Sequence, residues 1–201
     1  MEIFWLRSCE APWGDYGQIL LNGMSSHLPR IDGRIQFERT GPYIPAVMFP
    51  RRGEVIVADA LRKAFDNSRY GPLPVRPVDK AKVVRLDWER WVRDEPPVYF
   101  PPSGDPEDLI LLPEHDADVC SQIGALWEID PVSIGHGSYT KVQKRPPEFR
   151  VTVEVPRALP PLFRADGVPV VLVREDVGEF LLGLTHNDLR LAPVEARFSD
   201  S

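Results

Sequence analysis

Phe149, Val151, Val153 and Val155 alternate with Arg150, Thr152 and Glu154, a period of two that gives a β-strand one apolar and one polar face. Ile35 and Phe37 alternate in the same way with Arg34, Gln36 and Glu38, predicting another half-buried strand. Short apolar runs predict strands at Glu2–Arg7, Val55–Val57, Lys82–Leu86, Leu109–Leu112, Pro169–Val173 and Leu189–Val194. Helical spacing is confined to three short segments. These are Leu61, Ala64 and Phe65 behind an Asp59 cap, Val119–Leu126 behind Asp116 or Asp118, and Glu175–Leu184. The stretch through Gly14, Gly17, Gly23 and Asp32-Gly33 reads as a turn-rich connection. Gly41–Pro50 and Pro131–Pro147, the latter with Gly135-His136-Gly137, read as irregular. Short strands with few helices predict an α+β fold of mixed, mainly antiparallel sheets.

One pattern recurs at a shift of 116 residues. Val55-Ile56-Val57-Ala58-Asp59-Ala60-Leu61 lies over Val171-Leu172-Val173-Arg174-Glu175-Asp176-Val177, and Leu73–Asp79 lies over Leu189–Glu195, with five identical positions. The shared unit is an apolar strand, an acidic helix start and a strand ending in Pro-Val-acid. Either the chain is duplicated, or the same physics has favoured an ordinary strand–helix–strand unit twice. Pro96–Pro106 is the best candidate boundary. It divides the chain into an N-terminal half, 1–100, with a first unit at 55–80, and a C-terminal half, 101–201, with a second at 171–196. The halves are expected to form one compact domain or two closely packed lobes.

Composition adds constraints. The 201 residues are 43% hydrophobic and 27% charged, ordinary for a globular chain, and 22 prolines with 14 glycines fit short elements. No apolar run approaches the roughly 18 residues of a membrane span. Glu2 and Arg7 interrupt any secretory signal; Leu6-Arg7-Ser8-Cys9 superficially resembles a lipoprotein site but lacks the apolar segment before it. The expectation is a cytoplasmic protein with Cys9 and Cys120 as reduced thiols, and no cofactor or metal.

Charge is unevenly placed. Asp87–Asp118 holds ten acids against Arg90 and Arg93, and Pro101–Asp118 has no basic residue, in a chain of net charge −6. A solvated loop explains this, as does a negative surface that steers a basic partner. Nucleic acid is disfavoured as a ligand because its phosphates would be repelled.

Catalytic signatures are missing: no GxSxG, GxGxxG, Walker loop, HExxH or paired CxxC occurs. Cys120 reads as the apolar side of a short helix, His115 as part of a polar helix start, and His186-Asn187-Asp188 as a turn. His136 lies between two glycines in a loop. Trp88 and Trp91 form either a core pair or an exposed platform.

Ile35–Pro45, Val55–Leu61, Val75-Arg76-Pro77-Val78, Val84–Trp88, Gly104–Leu111 and Leu126-Trp127-Glu128 resemble a bacterial family of immunity-type proteins from polymorphic-toxin systems. More loosely, Val171–Val194 is similar to myxobacterial paralogues named for a double CXXCG motif, whose cysteine pairs are absent here. The resemblance implies a non-enzymatic immunity protein that occludes the active site of a cognate, basic toxin, and it carries over no contact residue. The local acidity points to Asp105, Glu107, Asp108, Glu114, Asp116 and Asp118 as the partner-binding residues. No nucleic acid or membrane is expected as a partner, and a homodimer is allowed. The alternatives are a small hydrolase or transferase using Cys120 or His136, and a structural component of a secretion system.

Overall fold

The computed structural model describes residues 1–11, 13–86, 101–142, 148–185 and 188–199. In its smaller main sheet, β3 (Val47–Met48), β4 (Ile56–Ala58), β7 (Leu126–Ile129) and β5 (Val75–Pro77) pair antiparallel in that order. In the larger sheet, β10 (Leu162–Asp166), β11 (Val168–Arg174), β1 (Ile3–Ser8) and β12 (Leu189–Pro193) repeat the arrangement. That sheet continues from β10 through β8 (Ser133–Val142) and β9 (Glu148–Pro156) to β13 (Glu195–Ser199). A separate parallel pair joins β2 (Gln36–Gly41) to β6 (Asp79–Arg85). Five short helices complete the described residues: α1 (Asp15–Asn22), α2 (Asp59–Asp66), α3 (Asp108–Leu111), α4 (Ala117–Ile123) and α5 (Glu175–Leu184). The fold is α+β with mainly antiparallel sheets.

The 116-residue offset extends into the strand registers. Gln36 faces Asp79 across β2–β6, and Thr152 faces Glu195 across β9–β13, so both members of the pair shift together. α2 begins at Asp59 behind Ala58 (φ −70°, ψ 152°), and α5 begins at Glu175 behind Arg174 (φ −69°, ψ 151°). The central strands are exchanged. Trp127 of β7 lies between Val57 and Pro77, whereas Phe4 of β1 lies between Val173 and Pro193. The N-terminal strand β1 thus completes the sheet of the C-terminal unit, and β7, from the C-terminal half, completes the sheet of the N-terminal unit. Where the first half has α1, the second has β8, which joins β9–β13 to the large sheet; β2–β6 stays separate.

The repeated apolar positions meet in one core. Val55, Val57, Leu61, Phe65 and Leu73, with their counterparts Val171, Val173, Val177, Leu181 and Leu189, all belong to a single buried cluster. Phe65 packs against Tyr70 and Phe180 at ring-centroid separations of 6.3 and 6.0 Å. Each unit has a helix on one face of its sheet, and the two units bury those faces against each other. A second cluster, including Trp5, Val151, Val153 and Phe163, fills the other side of the large sheet. A third packs Phe37 and Val83 against Val119 and Ile123 of α4.

Several expectations need correction. The turn-rich connection contains α1, flanked by Gly14 and Gly23, with Gly17 buried inside it. Leu109–Leu112 is not a strand. Asp105 accepts hydrogen bonds from the N–H of Glu107 through Oδ1 (3.1 Å) and of Asp108 through its carbonyl (3.2 Å), and these close a helical turn. Short apolar runs do not distinguish helix from strand, and here an Asx turn decides. Asp59 is the first residue of α2 and makes no capping bond; its carboxylate accepts from Arg62 and from Trp127 Nε1. Strands β3, β7, β10 and β13 carry no period strong enough to have been predicted. The polar residues of β2 are buried along with its apolar ones, because α1 and α3 cover the face expected to meet solvent while α4 packs on the apolar face.

The segment Pro131–Pro147 is also more regular than its glycines imply. It contains β8, the longest strand described, while 143–147 lie outside the described residues. A Cβ on Gly137 would stand 2.2 Å from the backbone oxygen of Thr152 and 2.8 Å from Val168 Cγ2. The glycine is therefore needed for the close approach of β8 to β9. Gly137→Ala should lower stability by about 1–3 kcal/mol through overpacking of this pair, read as a lower urea midpoint. An unchanged midpoint would show that the two strands have slack.

Candidate protein-docking site

The acidic segment folds as α3 and α4, laid over β6 and β2. Two of its helix ends are tied down by lysines from β6: Lys82 Nζ donates to the Leu111 carbonyl (2.7 Å), and Lys80 Nζ donates to the Cys120 and Gly124 carbonyls (2.5 and 2.7 Å). Cations at these ends also suit the negative pole of a helix.

The structure divides the six predicted carboxylates by role. Asp116 caps α4, accepting from Val119 N–H at 2.9 Å, and pairs with Arg85 Nε at 2.9 Å. The Val119 N–H first, then Arg85, hold its carboxyl below the ordinary aspartate range. Asp108 accepts from Ser103 Oγ at 2.5 Å. Glu107 lies 3.2 Å from His27 Nε2, whose other ring nitrogen is 3.6 Å from the buried Glu38. Asp105 shapes the turn before α3 with its carboxylate but is exposed. Glu114 and Asp118 are exposed and have no ion-pair partner among the described residues. The free negative charge is thus carried chiefly by Asp105, Glu114 and Asp118.

Sequence reasoning missed the apolar residue among them. Leu112, at the C-terminal end of α3, is 68% exposed. The available signal was its place at the end of Leu109–Leu112, inside a stretch devoid of basic residues; once that run becomes a helix, its last member turns outward. A large exposed apolar side chain in an acidic segment has the composition of an interface anchor with a polar rim.

The rival catalytic residues lie apart from one another in structural or surface positions. Cys120 is partly buried against the third core cluster. His115 Nδ1 accepts from Val83 N–H at 3.1 Å. His136 projects from β8 with its side chain 71% exposed, 3.7 Å from Glu154. Among the described residues no nucleophile–base hydrogen bond forms at Cys120 or His136, and no three His, Cys, Asp or Glu side chains gather as a metal site. Asp87, Trp88, Glu89, Trp91, Asp94, Glu95, His186, Asn187 and the 96–100 part of the expected boundary lie outside the described residues. No helix among those described is long and apolar enough to cross a membrane.

No protein-family model, curated protein or solved structure matches this chain.

Proposed function

We propose that this chain is an immunity-type protein that binds a basic bacterial toxin and covers its active site, docking through the acidic α3–α4 segment. The observation that carries the reading is Leu112, 68% exposed within a segment, Pro101–Asp118, that holds six carboxylates and no Lys or Arg. The apolar side chain supplies desolvated contact, and the carboxylates of the same segment supply steering and register. The resemblance of Ile35–Pro45, Val55–Leu61 and Gly104–Leu111 to immunity-type proteins supports a toxin as the partner.

The segment separates affinity from association rate. Leu112→Ala should speed dissociation from the toxin encoded by the neighbouring gene. The triple variant Asp105→Asn, Glu114→Gln, Asp118→Asn should slow association by about tenfold at low ionic strength and flatten its salt dependence. Asp116 is left intact because it caps α4. Stopped-flow kinetics distinguish the two effects, and association that ignores both salt and the triple variant rejects the docking segment.

A further inference from the structure

Apart from this segment, a pocket of about 460 Å³ opens between β1, the 49–53 turn and the paired strands β8 and β9. Its charge opposes that of the chain. Arg7, Arg51, Arg52 and Arg190 line it, against Glu10 and Asp15, in a protein of net charge −6. Arg190 is committed, lying 3.5 Å from Glu10 and donating to the Ser8 carbonyl at 3.4 Å. Arg7, Arg51 and Arg52 are not: among the described residues no carboxylate lies within ion-pair distance of any of them.

Two of these arginines are held by aromatic rings instead. The Arg7 guanidinium lies 4.7 Å from the Trp5 ring centroid. Arg52 lies 5.1 and 5.0 Å from Tyr139 and Phe149, which stack on each other at 4.9 Å. Such contacts fix a guanidinium without neutralising it, so its N–H groups remain available to an anion. The backbone under Arg52 is fixed too. Gly53 adopts φ +81°, its Cβ position would fall 2.6 Å from the Pro169 carbonyl, and its own carbonyl accepts from Arg164 at 2.9 Å. The turn is pressed onto β11.

We propose that this pocket binds a phosphorylated small molecule of nucleotide size. The volume lies within the ordinary range for small-molecule sites, the aromatic walls offer apolar contact, and the guanidinium forks suit phosphate oxygens, which they can contact in pairs. The site is independent of the α3–α4 segment: no residue belongs to both.

Isothermal titration of the full chain with ATP, adenosine and citrate tests the assignment. ATP should bind saturably, and at least tenfold more tightly than either adenosine or citrate. Arg51→Gln and Arg52→Gln should each weaken ATP by at least tenfold. Arg51 is exposed and contacts no acid, so its variant should keep the parent melting temperature even if loss of the Arg52 ring contacts lowers that of the other. Absence of ATP binding, equal binding of adenosine or citrate, or ATP binding that survives Arg51→Gln would each overturn the proposal.

Discussion

Trp5→Pro is expected to unfold both sheets in one transition, although Trp5 belongs to only one of them. The residue sits in the middle of β1, paired with Leu172 on one side and Ala192 on the other, and is 7% exposed. Proline there lacks the N–H a central strand needs and costs about 3 kcal/mol or more in backbone terms. Loss of the buried indole adds about 3–5 kcal/mol. Together these approach the whole stability of a typical domain, about 5–15 kcal/mol. Without β1, β11 and β12 lose the strand between them, and α5 loses the surface it packs on. Since Val177 and Leu181 of α5 share a cluster with Leu61 and Phe65 of α2, the N-terminal unit loses its cover as well. Far-UV circular dichroism and near-UV signals should therefore collapse together across a urea titration. A residual transition from the smaller sheet would mean that the exchanged strands do not couple the halves.

That exchange is also where the sequence is least informative. The strand–helix–strand units could be read from Val55–Leu61 and Val171–Val177 because their apolar spacing is local, and the start of α5 at Glu175 follows from the same pattern. Which strand fills each gap is a long-range choice. β7 presents Leu126-Trp127-Glu128-Ile129, too short to show a period, and its buried Glu128 looks wrong for a core strand until Arg30 is seen bonding both of its oxygens at 2.7 and 2.8 Å. β2 misleads for a similar reason. Its alternation is real, but α1 and α3 bury the polar side. The candidate docking acids were legible as a charge run; their division into cap, turn and free residues was not, because Arg85 and His27 reach them from elsewhere in the chain. The pocket arginines drew no attention because Arg51-Arg52 is an ordinary pair in a turn until β8 and β9 bring Tyr139 and Phe149 beneath it.

Arg39 offers the second large effect, and here two opposed terms must be weighed. The side chain is fully buried in β2 and its guanidinium meets neutral acceptors: the Thr40 carbonyl at 2.6 Å, the Tyr43 carbonyl at 2.9 Å and Met48 Sδ. Burial lowers its affinity for its proton, the sign of a charge held at a cost. Removing the charge releases a desolvation penalty of several kcal/mol, as replacement of buried ionic groups by apolar ones often does. Against this, each orphaned carbonyl costs about 1–3 kcal/mol. Those two terms are common to any apolar substitution and largely offset. What remains is volume. Arg39→Met nearly fills the space beside Met48, whereas Arg39→Ala leaves a cavity of the kind that costs about 2–5 kcal/mol. The expected order of stability is therefore Arg39→Met close to the parent and Arg39→Ala lower by about 2–4 kcal/mol, measured by urea denaturation at neutral pH. If the two variants unfold at the same midpoint, packing is not what Arg39 contributes. If both fall far below the parent, the bonds to Thr40 and Tyr43 outweigh the burden of the buried charge, and β2 is held together by its guanidinium.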